Sequence, residues 1–238
     1  MEKNKFLISV QGVGKVFPVG DTSFEALKNI HLEIEKGEFA GLIGPSGSGK
    51  TTLLNLIGAL DLPTSGEVYL EDEKLSEKND QQTADLRNQL IGFIFQSYNL
   101  LPIYTIYENV EFPLLLQKIS SKTRKRMVME ALEWVGLADK AQKKPAQISG
   151  GEAQRVAIAR SIVKKPAIVL ADEPTANLDS ANAYNIMEIL RKLNRELGIT
   201  FLFSSHDSKV IQYLERVIQL EDGTIIKDEI KEADAKPV

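Results

Sequence analysis

Apolar residues recur along the chain at two spacings, and the switch between them divides it into elements. In LKNIHLEI, residues 27–34, Ile30, Leu32 and Ile34 share one face at period two, which predicts a half-buried strand. The turn EKG leads into EFAGLIG, short and almost wholly apolar, hence a buried strand. In TTLLNLIGAL, residues 51–60, Leu53, Leu56, Ile57 and Leu60 return at helical spacing. From about residue 97 to 164 the chain reads as mostly helical. Within TRKRMVMEALEWVG one stripe holds Met127, Ala131, Trp134 and Val135, and Gly136 is the expected stop. After Pro166 the strand–helix rhythm resumes. AIVLAD is a buried strand, and NAYNIMEILRKLNREL a helix with Ile186, Leu190, Leu193 and Leu197 inward. ITFLFSSH is a further strand, and RVIQLEDGTIIKDE a hairpin turning at Asp222-Gly223. The last residues, 231–238, read as a frayed polar tail.

These elements predict an α/β nucleotide-binding core, residues 1–96 and 165–230, interrupted by a helical insert at 97–164. Parallel strands with crossover helices bind ligands at their carboxyl ends. Composition changes this picture little. At 238 residues, 43% hydrophobic and 26% charged, the chain reads as an ordinary soluble domain. With no cysteine it has no disulfide scaffold, thiolate metal site or cysteine nucleophile. A net charge of −4 argues against a nucleic-acid partner. The opening MEKNKFLISVQGVGK has too short an apolar run for a signal peptide. No window reaches the roughly 18 apolar residues that would span a bilayer.

The glycine-rich stretch between the second strand and its helix carries the clearest chemistry. GPSGSGKT fits the phosphate-loop pattern G-x-x-x-x-G-K-[ST] in its required strand-to-helix setting. Across Gly44, Pro45, Ser46, Gly47, Ser48 and Gly49 the glycines let successive N–H groups curl around phosphates, and the helix start with Thr52 adds positive potential. Lys50 can reach the β and γ phosphates, and Thr51 can offer its hydroxyl to Mg²⁺. The guanine-reading motif N-K-x-D is absent, since the only Asn-Lys pair, Asn4-Lys5, is followed by Phe6-Leu7.

Other candidates stand at strand ends. IVLADEP closes a buried strand with Asp172 and Glu173. A strand-terminal aspartate holds Mg²⁺ directly or through its water, and the next glutamate can take a proton from the attacking water or orient it. The bland alternative is two solvated acids. His206 closes FLFSSH, where it would bond a γ-phosphate or the water, or be a surface histidine. Gln96 closes IGFIFQ, where its amide oxygen would ligate Mg²⁺, or be a polar residue leaving the core. Finally ISGGEAQR places Ser149, Gly150, Gly151 and Glu152 at a helix start, either an anion site or a capped helix end.

Taken in order, GPSGSGKTT, Gln96, ISGGEAQRVAIAR, IVLADEPTANLD and His206 resemble the ATP-binding subunit of an ABC transporter over nearly the whole chain. GALDLPTSGEV, IGFIFQSYNLLP and TIYENVEFPLL look like the branch of lipoprotein-release, macrolide-export and cell-division ATPases. The resemblance implies a single P-loop NTPase domain with a mostly parallel sheet, an N-terminal antiparallel β subdomain and a helical insert. It implies an ATPase using ATP and Mg²⁺, with Lys50, Glu173 and His206 catalytic. It implies a head-to-tail homodimer in which Ser149, Gly150 and Gly151 contact the γ-phosphate of the partner's nucleotide. Phe17 falls where the family has an aromatic stacked on adenine, and Asn177 to Asp179 on the loop touching the partner's site. Residues 97–111 fall where such ATPases meet an integral-membrane permease, which would hold the chain at the inner face of the cell membrane. Two residues depart from the pattern. Ile148 replaces leucine, and Ala153 stands where the branch often has glutamine, removing a polar contact near the partner's nucleotide. The basic run from Lys118 to Arg126 reads as a solvated helix face. A soluble ABC ATPase of DNA repair or translation, and a nucleotide-binding module that does not hydrolyse, are the rival readings.

Overall fold

The computed structural model describes residues 6–231; all but Lys231 of the predicted polar tail lies outside them. Phe6–Val19 (β1) and Thr22–Glu35 (β2) form a long antiparallel hairpin. Phe39–Ile43 (β3) then enters a second sheet, and Lys50–Ile57 (α1) follows it. Ser65–Leu70 (β4) and Glu73–Lys74 (β5) return to the first sheet, whose order is β2-β1-β4-β5. Asp80–Leu90 (α2) leads to Ile91–Ile94 (β6). Ile106–Leu115 (α3), Ser121–Trp134 (α4) and Gly150–Ile162 (α5) come next and pack on one another. Ile168–Asp172 (β7), Ser180–Leu197 (α6), Thr200–Ser205 (β8) and Ser208–Ile211 (α7) precede the hairpin of Arg216–Glu221 (β9) and Thr224–Ile230 (β10). The second sheet has the order β10-β9-β3-β8-β7-β6 and is parallel except at β10.

The period-two alternation of its central strands explains why they read as continuous apolar runs. Ala40, Leu42, Ile168, Leu170 and Leu202 face α1 and the first sheet. Phe39, Val169, Ala171, Phe201 and Phe203 face the helices on the other side. A sheet covered on both faces needs apolar residues at both parities. Helix α1 lies in the first of these cores through Leu53, Leu54, Leu56 and Ile57.

Several expectations are corrected. Leu60 is not part of the α1 stripe: the helix ends at Ile57 and Leu60 is 47% exposed. Gly58 passes against the Phe93 ring, where a Cβ would sit 2.7 Å from it, and Ala59 turns to φ +53, so the chain leaves the helix there. The inward stripe of α4 is Val128, Ala131 and Leu132, continued by Val135 just past its end, while Met127 and Trp134 are half-buried at its margin. Trp134 instead lies under the Lys192 ammonium. Strand β1 and helix α2 were not foreseen. The hairpin turn is as expected, with Asp222 and Gly223 both at positive φ, the geometry of a type I′ turn. In the basic run, Lys118, Lys122, Lys125 and Arg126 are exposed and Arg124 is paired with Glu111.

Candidate functional site

Four adjacent parallel strands, in the order β3, β8, β7 and β6, end at the predicted chemistry. Gly44 follows β3, His206 follows β8, Glu173 follows β7 and Gln96 stands two residues beyond β6. The sheet gathers at one edge what the sequence spreads over 163 positions.

The phosphate loop must be glycine-rich here for steric reasons. Gly44 has φ +152, and a Cβ there would meet the Leu220 carbonyl oxygen at 2.1 Å. Gly49 caps α1 at φ +104, with a Cβ 2.8 Å from the Ala26 oxygen. No side chain caps this helix start and no acid lies in its first turn, so its N–H groups are available to an anion. Lys50 is only 7% exposed, and its ammonium donates to the Gly44 and Pro45 carbonyls at 2.8 and 2.9 Å. The cradle fits a polyphosphate.

The Thr51 hydroxyl donates to both Asp172 oxygens, at 3.1 and 3.2 Å. Ser204, opposite Asp172 in the β7–β8 register, donates to Oδ1 of the same carboxylate. Glu173 sits at φ +47, which costs a side-chain-bearing residue about 1–2 kcal/mol. Its N–H donates to the Ser204 carbonyl at 3.0 Å. Its Oε1 lies 2.7 Å from His206 Nδ1, and Oε2 accepts from the Ser205 hydroxyl at 3.4 Å. His206 therefore engages the carboxylate through one ring nitrogen. Ser204 and Ser205 were missed in the sequence; the only signal was the SS pair before the strand-terminal histidine.

A cleft of about 460 Å³ runs over this floor, lined by Ser46, Gly47, Gly49, Lys50, Thr51, Thr52, Gln96, Glu173 and His206. Gln96 also accepts from the Asn177 amide through its backbone carbonyl, at 2.8 Å. Phe17 does not line this cleft. Its cross-strand partner Phe24 does, and the Phe17 ring carries the Lys15 ammonium 5.0 Å from its centroid.

Ser149 to Glu152, the signature residues within ISGGEAQR, do not line this cleft. Ser149 caps α5 in a reciprocal box: its hydroxyl accepts from Glu152 N–H at 3.3 Å, and Glu152 accepts from Ser149 N–H at 2.9 Å. Glu152 is also paired with Lys140. The Lys140 ammonium first, then the Ser149 N–H, pull its carboxyl down to about 2. Its oxygens are thus occupied within the chain. Ser149 and Gly150 are exposed, whereas Gly151 is buried, and a Cβ there would meet the Asn182 amide oxygen at 2.6 Å. Ala153 is buried on α5, and Ile148 packs against the helical core.

Fold and site together define a P-loop nucleotide-binding protein. The family model described as ABC transporter matches residues 27–176, and the chain belongs to that family. It is 44% identical over 227 residues to the ABC transporter ATP-binding protein MJ0796 of Methanocaldococcus jannaschii, covering 94% of this chain and 97% of that one. It is 43% identical to the lipoprotein-releasing system ATP-binding protein LolD of Legionella pneumophila over 222 residues, covering 93% and 98%. The solved dimeric, post-hydrolysis structure of MJ0796 bound to ADP and Pi matches with a TM-score of 0.87 at 43% identity, covering 95% of this chain and 99% of that chain. These relatives are transporter cassettes and lend nothing to the repair or translation alternative. Among the described residues no helix is long and apolar enough to cross a membrane.

Proposed function

We propose that the chain is the ATP-hydrolysing subunit of a membrane transporter and works as a head-to-tail pair. The observation that carries this reading is the convergence of Lys50, Thr51, Gln96, Glu173 and His206 on one cleft, with Asp172 bonded to Thr51. Lys50 and the loop N–H groups would hold the phosphates. Thr51, Asp172 and Gln96 offer the oxygen donors that suit Mg²⁺. Among the described residues no three His, Cys, Asp or Glu side chains cluster as a metal cage. Mg²⁺ takes one or two carboxylates and fills its shell with phosphate oxygens and water. When bound it would neutralise phosphate charge. Glu173 would orient the attacking water, and His206 would hold that carboxylate in place.

Ser149 and Gly150 present an exposed helix start that lies outside the Lys50–Glu173 cleft of their own chain. In a two-fold pair that start would complete the partner's site. The dimeric MJ0796 cassette supports this arrangement. Residues 97–164 would relay the motion to a permease at the inner face of the membrane. Ile103, Tyr104, Phe112, Leu115 and Leu116 are exposed apolar residues in that stretch, a composition that favours a partner surface. The LolD relatives favour a lipoprotein-release-like system within the wider branch of export and cell-division ATPases.

Glu173→Gln tests the reading. With saturating ATP and Mg²⁺, light scattering after gel filtration should show a stable species at twice the chain's mass, with no phosphate released. A variant that stays monomeric, or that releases phosphate at the wild-type rate, would overturn it.

A further inference from the structure

Gln154 lies within the signature helix α5, and its side chain is fully buried. Its amide Nε2 donates to the Pro174 carbonyl at 2.5 Å, and its Oε1 accepts from no described group. Space-filling does not explain such a residue. A buried acceptor without a partner is unfavourable, and methionine or leucine would fill the same volume without one. Among the described residues the Gln154 side chain makes one bond, and that bond accounts for its polarity.

That bond lands beside the most constrained residue of the site. Glu173 holds φ +47 and precedes a proline, whose ring further restricts the residue before it. On one side the Glu173 N–H is fixed to the Ser204 carbonyl at 3.0 Å. On the other, the carbonyl of Pro174 is fixed by Gln154. An unfavourable backbone conformation persists only where its surroundings over-determine it. Three backbone bonds thus bracket Glu173: its N–H to Ser204, its own carbonyl from the Ala176 N–H at 3.2 Å, and the Pro174 carbonyl held by Gln154, the one that belongs to α5.

We infer that Gln154 is a positioning residue that aims the Glu173 carboxylate from the signature helix of the same chain. Because the N-terminus of α5 would meet the partner's nucleotide, closure at one interface would adjust the carboxylate that serves the other. The inference rests on the reading of Glu173 as the hydrolytic carboxylate in a head-to-tail pair.

The test is Gln154→Met, which keeps the length and removes the donor, with Gln154→Leu as a second variant should the first fail to fold. Turnover is measured beside ATP-driven dimerisation by light scattering. We expect kcat to fall by about 10- to 100-fold, as for a catalytic group displaced by about 1 Å. KM for ATP should change by less than about 2-fold. ATP should now accumulate the dimer, as in Glu173→Gln, because closure survives and hydrolysis does not. A purely structural role for Gln154 would weaken closure, and no dimer would accumulate. Wild-type kcat in a folded variant, or lost kcat without an accumulating dimer, overturns the proposal. Glu173→Gln, measured in parallel, separates the two ideas. If it is inactive while Gln154→Met turns over normally, only the Gln154 inference falls; if it turns over normally itself, both fall.

Discussion

Replacing Glu152 by Gln isolates the charge that anchors the signature helix. Glutamine at this position can keep the capping box with Ser149, since either residue serves there. What is lost is the attraction to Lys140 and, more weakly, to the Arg155 guanidinium 4.0 Å away, which the double-variant cycle with Lys140 leaves out of the coupling. The carboxyl of Glu152 stands at about 2, against 4.5 for an unperturbed glutamate, chiefly because of the Lys140 ammonium and then the Ser149 N–H. At about 1.4 kcal/mol per tenfold change in proton affinity, that fall has a ceiling of about 3 kcal/mol. The Glu152 side chain keeps 15% of its surface and Lys140 28%. Solvent screening, and the part of the shift owed to Ser149, bring the expected loss to about 1–2 kcal/mol at about pH 7. The carboxyl is lowered on folding, so its contribution is fully present above about pH 4.5 and vanishes as pH falls through about 2. Urea unfolding of the wild type, Glu152→Gln, Lys140→Met and the double variant should give a coupling of about 1–2 kcal/mol at about pH 7, shrinking by about pH 3. Additive single effects, or a loss under about 0.3 kcal/mol, would refute the argument. The helix start that presents Ser149 would then owe nothing to this pair.

Three further substitutions probe the site from opposite sides. Ser149→Arg removes the α5 cap, costing about 1 kcal/mol of stability, and blocks the exposed helix start. Steady-state turnover should fall by about 100-fold or more, while ATP binding by the isolated monomer, followed by calorimetry, stays unchanged. Collapse of monomer binding would refute the assignment of Ser149 to the opposite chain. Phe24→Ala should weaken ATP binding by about 2- to 10-fold, the worth of one aromatic contact of about 0.5–1.5 kcal/mol. Phe17→Ala should weaken it less, because Phe24 lines the cleft and Phe17 holds Lys15. The reverse order would return the adenine contact to Phe17.

What could be read from the sequence was whatever is local in the chain. The phosphate loop is one contiguous turn whose glycines answer to backbone geometry, so Gly44 and Gly49 could be found without knowing that Leu220 and Ala26 crowd them. Asp172, His206 and Gln96 each close an apolar run, and parallel pairing then brings such ends to one edge. Strand β1 escaped because its alternation is broken by irregular pairing around Gly12 and Gly14, where its register with both neighbours shifts. Helix α2 escaped for the opposite reason. It fully buries only Thr83, and its apolar stripe is just Leu86 and Leu90, half-buried against the core; the other signal is the Asn79–Gln82 capping box. Leu60 misled because hydrophobic spacing continues past the point where Gly58 meets Phe93, a contact 35 residues away in sequence. The same limit hid the partners of the acid pair. Ser204, Ser205 and Gln154 act on Asp172, Glu173 and Pro174 across 20 to 32 positions, through neighbours that only the folded sheet and helix supply. Local chemistry names the groups that meet the nucleotide. Tertiary packing decides how firmly they are aimed, and Gln154, buried and polar beneath Glu173, lies where those two levels join.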